Sequence, residues 1–173
     1  MLILTYARDV RLPFPHVAMV TPYARHRPRA GALWLDSGGF AWLKGRRPPA
    51  AEALCRLCEE LGAEVCFAPD YPPRPSEDVY TYIALELKGL AEAAGAPCDL
   101  APVVHMHPSR AAFSAALRLT ARLAERRGKA LWRWLASRGY PNLPPEEFIR
   151  RLADFKTRAA VNAYVALALA GSI

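Results

Sequence analysis

The sequence predicts an α/β protein with a mostly parallel sheet. Two apolar runs, residues 33–36 and 64–70, each end in an aspartate followed by a turn, and they lie about one β-α unit apart. Parallel strands are covered on both faces, so they read as continuous apolar runs rather than as alternating ones. Segments of strand and helix character also alternate along the chain, which is typical of βαβ units.

The elements can be placed in chain order. Strands are predicted at residues 2–6, 16–21, 32–36, 64–68 and 101–107. Helices are predicted to begin near Pro49, Ser76, Ser109, Lys129 and Pro144. Ser76 is chosen because a hydroxyl cap followed by two acidic residues satisfies the free amides of a first helical turn. Beyond residue 107 the patterns are helical, so the C-terminal third is predicted to be α-helical.

Length and composition predict one globular domain, residues 1–173. The chain is 53% hydrophobic and 23% charged, which excludes a disordered protein. It contains no run of about 18 apolar residues, so no transmembrane span is predicted. The first residues lack a basic leader and resemble a strand rather than a signal peptide, so we expect a cytoplasmic protein.

The cysteines are predicted to be core residues. Cys55 and Cys58 form a C-x-x-C pair inside a predicted helix, whereas redox and zinc versions of this motif usually need a turn or a helix N-terminus. Cys66 and Cys98 do not form a second pair with zinc-like spacing. The sequence therefore predicts no metal and no cofactor.

Two aspartates are the first candidate site residues. Asp36 and Asp70 end adjacent predicted strands, and ligands of α/β sheets bind at that carboxyl edge. Gly38 and Gly39 lack a Cβ and would let a flat ligand approach the backbone. The alternative is that Asp-Ser-Gly-Gly forms an ordinary turn. Two close carboxylates would split their pKa values, which suits acid–base catalysis.

A histidine pair follows at the end of the fifth predicted strand. His105 and His107 are two residues apart, so a strand would place both rings on one face. We expect them to line the same site as polar groups. A metal-dependent hydrolase is a weaker alternative, because the further ligands it needs are not evident. Purely structural histidines are the third interpretation.

The basic balance of the chain suggests a polyanionic partner. The net charge is +7, and arginine, which suits phosphate, outnumbers lysine. A predicted loop before the Asp36 strand carries Arg25, Arg27 and Arg29, which we assign to phosphate or nucleic-acid contact. A second stripe on a C-terminal helix, represented by Arg118, is interpreted as a solvated face rather than as a phosphate-tracking one.

Part of the chain resembles a known enzyme family. Residues 36–40, Asp-Ser-Gly-Gly-Phe, and the later segments 61–63 and Asp70 are similar to motifs of the tRNA-guanine transglycosylases and their deazaguanine DNA-modifying relatives. Ala41 stands where that family has glutamine. Residues 102–105 give a weaker third match. The similarity covers roughly residues 30–107.

The resemblance implies a fold, a ligand and roles for the site residues. A complete (β/α)8 barrel takes about 250 residues, so this chain would form a partial TIM-barrel-like (β/α) architecture. Its open sheet edge could be covered by the C-terminal helices or by a second copy in a homodimer. The expected partner is a purine-like base or a nucleic acid, tRNA or DNA. The roles expected from the resemblance and the rim position are catalysis for Asp36 and Asp70, and base binding for Ser37, Gly38, Gly39, Phe40, His105 and His107.

The nucleophile of the family has no evident counterpart. Asp154 is followed by a Thr-Arg pair similar to the family's downstream sequence, but it lies in a helical pattern, where a surface acid is the expected role. The alternatives to an active transglycosylase are therefore a non-catalytic nucleic-acid-binding or interaction module, and the metal-dependent hydrolase based on His105 and His107.

Overall fold

A computed structural model describes residues 4–6, 17–24, 30–74, 76–124 and 126–137 of the chain. The strands are β1 (Leu4–Tyr6), β2 (Val17–Val20), β3 (Ala32–Leu35) and β4 (Val65–Cys66). The helices are α1 (Phe40–Leu43), α2 (Ala51–Leu61), α3 (Val79–Gly95), α4 (Arg110–Ala124) and α5 (Lys129–Ala136).

The four strands form one sheet in the order β1-β2-β3-β4, and every neighbouring pair is parallel. The prediction of an α/β protein with a parallel sheet is confirmed. The sheet is open in the part of the chain that the structure describes, and a barrel is not shown. None of the described helices is long and apolar enough to cross a bilayer.

The fifth predicted strand is largely absent. Ala101 forms a parallel bridge with Phe67, but residues 102–107 have no regular structure. Pro102 has no N–H to donate. Farther along, the His105 N–H donates to Oε1 of Glu86 at 3.2 Å, and its carbonyl accepts from the Tyr82 hydroxyl at 2.7 Å. Side chains of α3 therefore satisfy this backbone in place of a neighbouring strand.

Apolar side chains cover both faces of the sheet. On one face, the fully buried Trp34 packs edge-on against Phe67 and Trp134, with ring centroids 5.9 and 5.0 Å apart, so α5 lies on this side. On the other face, Leu35 packs with Leu54 of α2. Alternation along β3 thus explains why its sequence is continuously apolar.

Three predicted helix starts agree closely with the structure. α2, α4 and α5 begin within two residues of Pro49, Ser109 and Lys129. α3 begins later than predicted, because Asp78 and not Ser76 is its N-cap: Oδ1 of Asp78 accepts from the amides of residues 80 and 81 at 2.8 and 3.0 Å. The helix predicted near residue 144 lies outside the described residues, and α1 was not predicted.

All four cysteines are paired, which corrects their assignment as unpaired core residues. Cys55 bonds to Cys98, and Cys58 bonds to Cys66. The C-x-x-C residues lie one helical turn apart, so both thiols of α2 face the elements that carry their partners. The partners are 43 and 8 residues away, and the spacing of α2 alone could not identify them.

Candidate functional site

The fold brings Asp36 and Asp70 together at one end of the sheet. Asp36 follows β3 directly, and its N–H donates to the carbonyl of Val20 at 2.8 Å. Asp70 follows β4, the strand paired in parallel with β3. A Cβ added at Gly39 would collide with the Asp70 carboxylate, so the turn after β3 lies directly against it. Both carboxylates are thus at the carboxyl ends of adjacent parallel strands.

Ser37 links the turn to the second carboxylate. Its buried hydroxyl donates a short hydrogen bond to Oδ1 of Asp70 and accepts from the Gly39 N–H at 3.1 Å. Gly38 has φ 78°, and a Cβ there would lie 3.2 Å from the Tyr23 ring. A left-handed conformation and a crowded neighbour both favour glycine at this position.

His105 extends this hydrogen-bond network from Asp70 to Glu86. Its Nε2 lies 2.7 Å from Oδ2 of Asp70, and its Nδ1 lies 2.6 Å from Oε1 of Glu86. Burial alone would lower the pKa of His105, but the hydrogen bonds and charges of the two carboxylates raise it to about 10. The ring is therefore an imidazolium at neutral pH, with both nitrogens donating.

Glu86 is the last member of this hydrogen-bond network, and it was not predicted from the sequence. It is only 4% exposed, and burial raises the pKa of its carboxyl, an effect that His105 partly offsets. Oε2 of Glu86 has no hydrogen-bond partner among the described residues. A signal was present in the sequence, because Glu86 shares a helical face with Tyr82 and Leu90, both buried.

Asp36 is the member of the site with acid–base properties near neutrality. Burial and the nearby charge of Asp70 raise the pKa of Asp36 to about 6, against the opposing effect of the Ser37 and Gly38 amides. Asp36 is half-buried, whereas Asp70 is 2% exposed. Of the two carboxylates, Asp36 is the one that solvent and a ligand can reach in this conformation.

His107 and Phe40, both predicted to bind the base, lie outside this hydrogen-bond network. The His107 ring stacks on Tyr82 at 4.5 Å between centroids, and its Nδ1 accepts from the Ser109 N–H at 3.0 Å. Phe40 begins α1 and is 66% exposed. The histidines do not act as a pair, because residues 102–107 are not a strand and the two rings make separate contacts.

Potential metal ligands do not gather at these histidines. Both ring nitrogens of His105 are taken by carboxylates, and no group of three candidate ligands occurs within the described ranges. The predicted phosphate contacts Arg25, Arg27 and Arg29, and the candidate Asp154, lie outside the residues that the structure describes.

A separate groove of about 680 Å³ lies at the opposite end of β4. Its lining includes residues 62–64, which precede β4, and all four disulfide cysteines. Because those residues are at the amino end of the strand, the groove is not the space in front of Asp36. The connected carboxylates, and not this groove, carry the arrangement suited to acid–base chemistry.

Comparison of the chain with protein-family models, with curated proteins and with solved structures finds no match. Asp36, Ser37, Gly39, Asp70 and His105 are brought together as a connected group, and Glu86 is added to them.

Proposed function

We propose that this chain is a compact transglycosylase-like protein that binds a guanine or 7-deazaguanine-type base and exchanges or cleaves its N-glycosidic bond in nucleic acid. One observation carries the proposal. Asp36, with a pKa of about 6, stands at the carboxyl edge of a parallel sheet beside a carboxylate held by Ser37 and His105. A side chain that can both give and take a proton near pH 6 suits this reaction.

The surroundings of Asp36 suit a planar base. A carboxylate is a natural acceptor for the N–H donors on the amidine-like edge of guanine. Gly38 and Gly39 let the turn after β3 pack closely against the Tyr23 ring and the Asp70 carboxylate, which fixes the position of Asp36 beside them. Asp70 is buried and holds Ser37 and His105, so in this proposal it positions the turn and raises the pKa of Asp36.

The proton balance of cleavage can be written around Asp36. As the bond between the anomeric carbon and the base nitrogen breaks, its electron pair goes to the nitrogen, which takes a proton from the Asp36 carboxyl. Water then adds to the anomeric carbon, and its proton returns to the Asp36 carboxylate. In exchange, the nitrogen of an incoming base takes the place of water, bonds to the anomeric carbon and loses its N–H proton to the Asp36 carboxylate.

The non-catalytic alternative also has an observation in its favour. Asp70, which the resemblance places on the base, is already engaged by Ser37 and His105. A module that kept the scaffold and lost the chemistry would look similar. Replacing Asp36 distinguishes the two functions. An enzyme would lose base exchange with the Asp36 proton, whereas a binding module has no exchange to lose.

Base exchange tests the proposal directly. Labelled guanine is incubated with tRNA and with DNA, and incorporation is compared between the wild type and Asp36→Asn. We expect incorporation to fall about 100-fold or more, the usual loss when a general acid–base group is removed. Glu52→Gln is the matched control, since it removes an exposed carboxylate of α2. Incorporation that survives in Asp36→Asn would refute the assignment, and none in the wild type would favour the module.

The proposal extends to the fold and the setting of the protein. The strands β1–β4 and the Ala101 bridge would be the first five positions of a partial barrel, and α4 and α5 would belong to its helical C-terminal third. A homodimer would cover the open edge of the sheet, and light scattering of the purified protein tests this. The cytoplasmic location requires that both disulfides persist inside the cell, where such bonds are uncommon.

A further inference from the structure

A basic and aromatic surface adjoins the turn that carries Asp36. It consists of five residues, here called the rim patch: Tyr23, Phe40, Lys44, Arg46 and Arg47. The three cations are exposed and lie within four positions of one another just after α1. The two rings are also open to solvent, Phe40 at 66% and Tyr23 at 54%. Among the described residues, only the Tyr80 ring is more exposed than that of Phe40.

The rim patch is continuous with the candidate site. The Tyr23 ring lies 3.2 Å from the position that a Cβ of Gly38 would take, and its hydroxyl donates to the Arg47 carbonyl at 3.5 Å. The charges of Arg46 and Asp36 both reach the Tyr23 hydroxyl. A ligand lying on this patch would therefore extend directly to Asp36.

The segment that carries the three cations has no acidic residue of its own. Residues 37–51 contain no aspartate or glutamate. None of the three cations forms an ion pair with another residue of the described ranges. Lys44 instead places its Nζ 5.3 Å from the centroid of the Phe40 ring, a cation–π contact. The three cations are thus available to an anionic partner.

We propose that the rim patch binds single-stranded nucleic acid, with its cations on the phosphates and its rings against unpaired bases. Cations combined with exposed rings are the usual surface for single strands, because every base offers a face for stacking. A base that undergoes chemistry must also leave its stack. The role of the patch as the track leading a nucleotide to Asp36 rests on the proposed function, whereas strand binding itself does not.

A second basic surface, on α4, serves as a control of equal charge for the rim patch. Arg118, Arg122 and Arg126 are exposed at or just beyond α4, and the opposite face of that helix packs in the core. They carry the same charge as the three cations of the patch, but none of the exposed rings found among the described residues lies beside them. A partner that responds only to net charge would use both surfaces equally.

Binding of labelled oligonucleotides separates these cases. Fluorescence anisotropy is measured with a single-stranded RNA, a single-stranded DNA and a duplex. We expect the variant carrying Lys44→Gln, Arg46→Gln and Arg47→Gln to bind single strands about 10- to 100-fold more weakly. Its log–log salt slope should be smaller by about 2, since each phosphate contact on a single strand contributes roughly 0.7. The matched Arg118→Gln, Arg122→Gln, Arg126→Gln variant should lose less than about threefold.

Phe40→Ala tests the stacking part of the proposal. We expect about a tenfold loss for single strands and little change for the duplex, because only unpaired bases can stack on the ring. Equal losses in the two triple variants, or unchanged binding in the rim-patch variant, would overturn the inference. Equal binding of duplex and single strand with no effect of Phe40→Ala would overturn the preference for single strands. Circular dichroism of each variant checks the fold.

The two proposals fail separately. If Asp36→Asn retains exchange, or no exchange occurs, while the rim-patch variant loses strand binding, the proposed function fails and the patch stands. If Asp36→Asn loses exchange while the rim-patch variant binds strands as the wild type does, the patch fails and the proposed function stands.

Discussion

Nε2 of His105 lies 2.7 Å from Oδ2 of Asp70, and this contact joins the candidate site to the core of the protein. The same ring reaches Glu86 through Nδ1, so one imidazolium holds two buried carboxylates. The two carboxylates fix the orientation of the ring between them. Because the ring contacts only Oδ2 of Asp70, Oδ1 accepts the hydrogen bond from Ser37. The turn after β3 is thus connected through His105 to Glu86 of α3.

Removing the imidazole should destabilise the fold. In His105→Gln, Asp70 and Glu86 would face each other with no positive charge between them. We expect the free energy of unfolding to fall by about 3–5 kcal/mol, the usual result of breaking a buried pair. Urea denaturation at pH 7 measures it. His107→Gln is the control, because that ring is half-buried and should cost less than about 1 kcal/mol. A similar loss in both variants would contradict the special role of His105.

The pH dependence of stability should identify the charged state of His105. Its pKa is raised from 6.5 when unfolded to about 10 when folded. A raised pKa means that the stabilisation is complete below pH 6.5 and is lost as the pH rises through 10. We expect the unfolding midpoint to decline between these values in the wild type, and less so in His105→Gln. A flat wild-type profile over this window would show that the ring is neutral.

The ionised Asp36 side chain should lower the free energy of unfolding. Its pKa is raised from 3.8 in the unfolded chain to about 6 in the folded one. The free energy of unfolding is therefore highest, as far as this group is concerned, below pH 3.8, and it falls as the pH rises through 6. Asp36→Asn should therefore raise the free energy of unfolding at pH 8 by about 2 kcal/mol, and by little at pH 4. Denaturation at both values measures this. Destabilisation at pH 8 would mean that the carboxylate is well paired.

The pH profile of activity should follow the same group. If Asp36 protonates the departing base, single-turnover cleavage is fastest when its carboxyl is protonated and declines above pH 6. The profile is recorded from pH 4.5 to about 9, within the range where the protein stays folded. A rate that rises through pH 6 would assign Asp36 to proton removal instead.

Gly39 is expected to tolerate no side chain. Gly39→Ala would drive a methyl group into the Asp70 carboxylate, although the backbone at residue 39 has an ordinary helical φ of −56°. We expect a loss of about 2–3 kcal/mol or more, together with disruption of the Ser37 contact. Gly45→Ala separates collision from strain, because residue 45 has φ 73° with open space around it and should lose only about 1 kcal/mol. Thermal unfolding compares the two.

The site could be predicted from the sequence only in part, and the reason is the range of the interactions. Asp36 and Asp70 were found because each ends an apolar run that predicts a strand, and parallel pairing brings strand ends together, although β4 itself already ends at Cys66. His105 was found by its place after an apolar run, although that run is not a strand. Glu86 was missed because its partner lies 19 residues away, although its spacing from Tyr82 and Leu90 places it on the buried face of α3.

The cysteines show the same limit. Spacing carried no information on which residues face α2 after folding, and so the disulfide partners Cys98 and Cys66 were not predicted. His107 shows the converse error, because two-residue periodicity was applied to a segment whose backbone binds to side chains of α3. Local patterns identified the elements, and contacts between elements decided the geometry.

The edge-on contact of Trp34 with Trp134 provides an internal optical probe. Trp34 belongs to the centre of the sheet and Trp134 to α5, and their ring centroids are 5.0 Å apart. Two indoles this close couple electronically, which gives a near-ultraviolet circular dichroism signal that neither ring produces alone. Loss of that signal would mark the departure of α5 from the sheet, while far-ultraviolet signals from the remaining helices persist. Undocking of one helix can thus be followed separately from global unfolding without attaching a label.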